Sequence, residues 1–256
     1  MTRGERWLVV NADDLGRTAG INAGIFEAHR RGVVSSATLM VGFAAAEPAA
    51  RALADHPRLG VGLHVTLTGA APLLPAARVP SLVGDDGRLP AKPEGIRDPD
   101  PRELRAEIEA QLARFVELVG RPPGHLDSHH HSHRHPVVGE VLIEIARERR
   151  LPVRSSSDEL RRRLRAAGVP TTDRFVERFF GAQATLETLL ELLDGVGPGS
   201  TEVMCHPGRV DDELRAGSSY VAERERETTV LCDPAVSARI AARGLRLGRF
   251  GEACAS

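Results

Sequence analysis

The sequence has almost no lysine. Lys92 stands alone, so the chain's other basic residues, out of 34, are arginine. A lysine nucleophile or Schiff base would have to be that one residue, in a Pro/Gly-rich stretch, which argues against such chemistry. Aromatics are scarce too: Trp7, Tyr220 and seven phenylalanines make up 4% of the chain. That is too few for an extended stacking platform under a nucleic-acid strand or a long glycan. The three cysteines, Cys205, Cys232 and Cys254, form neither a CxxC metal motif nor a disulfide framework. Reduced, structural thiols are expected from that spacing. No apolar run approaches the roughly 18 residues of a membrane span, and Trp7–Val10 is too short for a signal-peptide core. A cytoplasmic location follows as an expectation. There is no excess of either charge, since 35 acidic residues leave a net charge of −1, so composition points to no nucleic-acid partner.

What is present fits a globular enzyme. A chain of 256 residues with 41% apolar and 27% charged side chains can fill one α/β barrel as a single domain, 1–256. The hydrophobic pattern alternates between strand-like and helix-like segments. Strands are predicted at Trp7–Asn11, Ala37–Val41, Leu59–Val65, His125–Asp127, Leu151–Val153, Ser200–His206 and Leu245–Phe250. Helices are predicted from Ile21 to about Gly32 and over Ala45–Asp55, Pro101–Val119, Val137–Arg150, Asp158–Ala167 and Ala184–Leu193. The clearest is Pro101–Val119, with an apolar stripe of Leu104, Ile108, Leu112, Phe115 and Val119 and proline in its first position. Residues 66–100 are rich in Pro and Gly and lack periodicity, which suits a functional loop over one end of the fold.

Histidine is the residue in excess. There are ten, and His125, His129, His130, His131, His133 and His135 crowd into one short stretch. Alone, such a tract suits a surface metal scavenger. Placement gives more. Asp13-Asp14, His64, Asp127 with His129, and His206 each fall at the C-terminal end of a predicted strand. In a barrel of parallel strands those ends converge on one face, where active sites lie. One carboxylate and two imidazoles can hold a divalent ion with open positions for water and substrate. A second carboxylate could then take a proton from that water, and a histidine opposite could protonate a leaving group. Each piece also has a plainer reading. Asp13-Asp14 suits a helix-capping turn, His64 a satisfied core position, and His206 before Pro207-Gly208 a simple turn.

These residues sit in motifs that resemble the YdjC-like carbohydrate deacetylases, which include chitooligosaccharide deacetylases. The motifs are Asn11-Ala12-Asp13-Asp14-Leu15-Gly16, Ser35-Ser36-Ala37-Thr38-Leu39-Met40, Gly60-Val61-Gly62-Leu63-His64, His125-Leu126-Asp127-Ser128-His129-His130-His131, Glu202-Val203-Met204-Cys205-His206-Pro207-Gly208 and Ser218-Ser219-Tyr220. Their order and spacing agree over nearly the whole length. The resemblance implies a distorted (β/α) TIM-like barrel similar to that of NodB-type polysaccharide deacetylases. It implies one magnesium or zinc ion on Asp14, His64 and His129, with Asp13 as general base and a protonated His206 as general acid. Asp127, His131 and Tyr220 would orient those groups or meet the substrate. The implied reaction is hydrolytic removal of an N-acetyl group from a small sugar or short oligosaccharide. The implied assembly includes a homodimer.

Three rivals compete with that reading. Relatives near hopanoid and other lipid biosynthesis suggest a glycolipid as acceptor. A phosphoesterase or cyclic amidase would also use a metal, although amidohydrolases usually place an HxH pair where this chain has Asp13-Asp14. A non-catalytic metal- or sugar-binding module would spread weak metals over His125–His135 and would not need Asp13.

Overall fold

A computed structural model describes residues 4–254 of the chain. The outermost residues of the expected 1–256 domain lie outside that range. Strand β1, Arg6–Leu15, runs through the middle of a sheet whose registered neighbours are all parallel. Its sequence, RWLVVNADDL, is buried along nearly its full length, as expected when both faces of a parallel strand are covered. To one side lie β2 (Ser36–Leu39), β3 (Gly60–Val65) and β4 (Leu126–Ser128), in that order. On the other side are β6 (Gly199–Cys205) and β5 (Arg174–Val176). A two-residue strand, β7 (Arg246–Leu247), pairs with Trp7 and Leu8.

The sheet curls into a half-barrel and continues past β4 through an irregular seam. Beyond β4, Val153 forms a single parallel bridge to Leu126, and the Arg154 N–H donates to the Leu126 carbonyl at 2.9 Å. The Val153 N–H then donates to Pro170 at 2.9 Å, on the chain that leads into β5. The expected strand Leu151–Val153 is therefore a one-bridge segment, and the barrel is distorted because this stretch is held by isolated bonds.

Helices cover the outside. They are α1 (Ala19–Arg31), α2 (Ala46–Ala52), α3 (Pro101–Val119), α4 (Pro136–Arg149), α5 (Asp158–Ala166) and α6 (Leu186–Asp194). The last four are α7 (Asp212–Gly217), α8 (Ala222–Leu231), α9 (Pro234–Ala242) and α10 (Phe250–Cys254). Capping residues fix several ends: Thr18 accepts the Ile21 N–H, Asp100 accepts that of Arg102 beside Pro101, and Gly120 ends α3 at φ 76°. Strand β5 and helices α7 to α9 escaped the periodicity reading, because they are short or carry charged residues on their buried faces. Only Arg246–Leu247 of the expected strand Leu245–Phe250 is extended, and Phe250 begins α10.

Residues 66–100 form the expected long loop, with isolated 3₁₀ turns and no longer element. A polar stripe on α3 holds it in place. The fully buried Glu107 carboxylate accepts the Leu73 and Leu74 N–H groups at 2.8 and 3.0 Å. Gln111 bonds both the N–H and the carbonyl of Thr66, and Glu103 accepts from the Ser81 N–H at 2.7 Å. The apolar stripe read from the sequence faces the core, and this second stripe clamps the loop over the C-terminal end of the barrel.

Candidate metal centre and catalytic cleft

A regular strand would point Asp13 and Asp14 to opposite faces. The end of β1 breaks that alternation. Asp14 sits at φ 70°, in the left-handed region that side chains rarely adopt, and the β1–β2 register shifts between Ala12 and Leu15. Both carboxylates therefore reach the same cleft. Gly16 follows at φ 87°, where an added Cβ would meet Leu39 Cδ1 at 2.8 Å, so the bend needs glycine there. A similar device acts after β4. His130 and His131 take φ values of 53° and 52°, turning the chain so that His129 faces Asp14.

Asp14, His64 and His129 converge from β1, β3 and the turn after β4. Their ligand atoms lie within 4.8 Å of one another, and all three side chains are buried. Asp14 Oδ1 is 3.4 Å from His64 Nε2 and 3.1 Å from His129 Nδ1. It has no hydrogen-bond partner among the described residues. In a tetrahedral zinc centre, adjacent ligand atoms stand about 3.3 Å apart, given bond lengths of about 2.0–2.1 Å. The donor set and the spacing both fit a divalent ion.

Around this triad, each side chain is held by partners. His64 Nδ1 is 2.7 Å from Asp127 Oδ1, which fixes the ring and turns Nε2 toward Asp14. Burial works against charge on His64, but Asp127 and Asp14 prevail and raise its pKa to about 10. Without a metal the ring thus keeps the proton that a metal would replace. Burial holds His129 below its usual value. Thr38 Oγ1 donates to Asp127 at 3.0 Å, and Arg224, fully buried on α8, donates to Asp14 Oδ2 at 2.5 Å.

Asp13 lies beside the triad. Arg154 grips it with two bonds, at 2.6 and 2.7 Å, and Asn11 donates to it at 2.9 Å. Burial would raise the Asp13 carboxyl, but Arg154 outweighs burial and holds it below the usual carboxylate range. Arg154 also donates to Glu202 at 2.7 Å and lies 3.0 Å from Asp127. Burial lifts Glu202 to about 7 despite that contact.

His206, just past β6, lines the same cleft, with Nε2 3.9 Å from Asp13 Oδ2. Burial depresses it to about 4, so it rests neutral rather than protonated. Glu227 accepts its backbone N–H and also the Tyr220 hydroxyl. Tyr220 spends that hydroxyl within the protein, accepting from the Gly181 N–H at 2.8 Å as well. It can face a substrate only with its ring.

The remaining histidines of the crowded stretch disperse. His130 faces Thr68 and Lys92, while His131 lies 3.4 Å from Glu177 on the cleft wall. His133 is buried against Ser128, and His125 stacks on Phe250 at 4.2 Å, away from the cleft. Cys205 is buried with its thiol on the Asn11 carbonyl, and burial raises it well above the usual thiol value, so it is inert.

Arg154, Arg224, Glu202 and Glu227 were not foreseen as site residues. Arg154 carried a usable signal, since it follows the short apolar segment Leu151–Val153 as the other site residues follow their strands. Arg224 and Glu227 lie in the charged run Ala222–Glu227, which reads as a solvated helix face. The cleft these groups share encloses about 880 Å³ and is walled on one side by Lys92, Pro93 and Glu94 of the long loop.

Comparison with known proteins shows the family. A carbohydrate deacetylase of Geobacillus stearothermophilus is 44% identical over 96% of this chain and 98% of its own length. A chitooligosaccharide deacetylase of Proteus mirabilis is 39% identical over 96% of the chain and 98% of that protein. The crystal structure of a protein from Enterococcus faecalis V583 superposes with a TM-score of 0.91 at 34% identity, covering 97% of this chain and 98% of that one. The family model described as YdjC-like protein matches residues 7–242. With that span matched and relatives of this identity over nearly the whole length, the chain belongs to the YdjC-like protein family.

Proposed function

We propose that this chain is a metal-dependent hydrolase that cleaves the N-acetyl group from a small N-acetylated sugar or short oligosaccharide, releasing acetate and a free amino sugar. The observation that carries this reading is the buried Asp14 Oδ1, set between two imidazole nitrogens at 3.4 and 3.1 Å, with Asp13 and His206 close by in the same cleft. The names of the two curated relatives supply the substrate class. A divalent ion, zinc or magnesium, on Asp14, His64 and His129 would polarise the amide carbonyl and acidify water.

The protein groups supply the proton chemistry. Asp13, ionised by Arg154, accepts the proton of the attacking water. His206 rests neutral, so it must gain a proton before it can give one. Asp13 Oδ2, at 3.9 Å, is the near source. The proton would pass to His206 Nε2 and on to the departing amine nitrogen. Asp127 keeps His64 in the orientation a ligand needs, and His131 borders the sugar's space from the loop after β4. A cleft of about 880 Å³ suits a few sugar rings at most.

The test is acetate release from a panel of N-acetylated sugars, short chitooligosaccharides and N-acetylated glycolipids, with and without a chelator. Release should stop on chelation and return with metal. Asp13→Asn should keep its metal and lose turnover by about 10²-fold or more, as removal of a general base does. Chelator-resistant release, or near-normal turnover in Asp13→Asn, would refute the assignment.

A further inference from the structure

Among the described residues Phe180 is the one exposed aromatic side chain, 45% open to solvent in a chain that otherwise tucks its few aromatic rings away. It stands on the rim of the cleft. Its back face stacks on Tyr220, with ring centroids 4.3 Å apart and planes 6° from parallel. The next residue, Gly181, turns the chain at φ 61°; its N–H donates to the Tyr220 hydroxyl, and its carbonyl accepts from Arg226 at 2.7 Å. The Tyr220 hydroxyl in turn donates to Glu227, whose other oxygen holds the His206 N–H. One buried carboxylate thus fixes His206 and, through Tyr220, the exposed ring. The Phe180 and His206 centroids lie 5.3 Å apart.

This inference rests on the deacetylase reading above. The amine that leaves is bonded directly to a pyranose carbon, so the ring that carries it must lie against whatever surface flanks His206. That surface is the open face of Phe180. A pyranose has an apolar face of C–H groups that packs well on the negative face of an aromatic ring. We infer that Phe180 is the sugar platform of this cleft: the pyranose bearing the departing amine stacks its C–H face on the outer face of the Phe180 ring, beside His206. Because there is a single platform, further sugar units gain no second stack, and KM should change little as the oligosaccharide lengthens.

The test combines kinetics with a direct binding signal. Phe180→Ala should raise KM about tenfold, equivalent to about 1.4 kcal/mol of lost binding, while kcat falls less than threefold. Phe180→Trp should restore the wild-type KM, which a merely structural role for Phe180 would not require. Leu247→Ala, which removes another exposed apolar side chain on β7, should leave both constants unchanged. Binding is read in the metal-loaded double variant Asp13→Asn/Phe180→Trp, titrated with an N-acetylated chitooligosaccharide. The new indole's emission should shift on binding, whereas Asp13→Asn alone, with only Trp7, should give no shift. A wild-type KM in Phe180→Ala would overturn the platform. So would an unchanged emission at sugar concentrations that calorimetry shows to be saturating. If the wild type released no acetate from any sugar, the deacetylase reading would fail, and the emission titration would still decide the platform.

Discussion

Arg154 offers the sharpest perturbation. Its guanidinium is wholly buried and meets Asp13 with two bonds, Glu202 with one and Asp127 at 3.0 Å. Replacing it with methionine keeps much of the volume and leaves three buried carboxylates without their shared cation. Removing one partner from a buried ion pair costs about 3–5 kcal/mol, a large part of the roughly 5–15 kcal/mol that stabilises a domain. The titration consequence has a definite sign. Asp13 is depressed in the folded protein, so its ion pair adds stability above the unfolded carboxylate value and loses it as pH falls through the folded value. Without Arg154, burial is no longer opposed, and the Asp13 carboxyl rises instead. The acidic limb of kcat/KM should therefore move upward by more than one pH unit, with part of the lost activity returning at alkaline pH. Urea unfolding at pH 7 and kcat/KM profiles between about pH 5 and pH 9 measure the two effects. If Arg154→Met proves too unstable to assay, adding Glu202→Leu removes one orphaned carboxylate and should recover stability without restoring the profile. An acidic limb that stays in place in a folded Arg154 variant would refute the link between this arginine and the base.

Other consequences can be checked separately. His64→Ala leaves Asp127 and Asp14 without their shared imidazole and should lower stability; the folded fraction should lose most of its metal on elemental analysis, and full occupancy would exclude His64 as a ligand. In metal-free protein the protonated His64 stabilises the fold fully below its unfolded value of 6.5, and this contribution fades as pH rises through about 10. Metal binding should accordingly release a proton and tighten with rising pH, which calorimetry in buffers of different ionisation enthalpy will detect. Glu107→Ala should strip the Leu73 and Leu74 N–H groups of their acceptor, costing about 2–3 kcal/mol and exposing residues 66–100 to proteolysis before the barrel unfolds.

The sequence revealed the strand-end cluster because apolar runs are easy to read and polar residues at their ends stand out. Asp13, Asp14, His64, His129 and His206 all reach one cleft on that logic. The crowded histidines misled by number alone, for the backbone turn at His130 and His131 separates neighbours in sequence into different environments. The parts that stayed hidden were those where polarity and burial coincide. Arg224 and Glu227 are buried in a helix whose charged pattern reads as surface, and Glu107 lies on the polar side of a helix legible only by its apolar stripe. Whether such a carboxylate meets water, a backbone amide or a guanidinium depends on tertiary neighbours, which periodicity does not encode.

The bend at Asp14 has a mechanical consequence. In the proposed reaction, the side chain offered to the ion and the one offered to the attacking water hang from consecutive residues, whose Cα atoms are held about 3.8 Å apart by one peptide unit. That separation is covalent, so barrel motion cannot widen it. The imidazoles come from β3 and the turn after β4, and their distance to Asp14 depends on how strands lie side by side. Warming the protein should loosen the grip of those rings on the metal well before it alters the backbone spacing of the two aspartates. Thermal inactivation should therefore begin as reversible metal loss, curable by added ion, rather than as damage to the proton-transfer geometry.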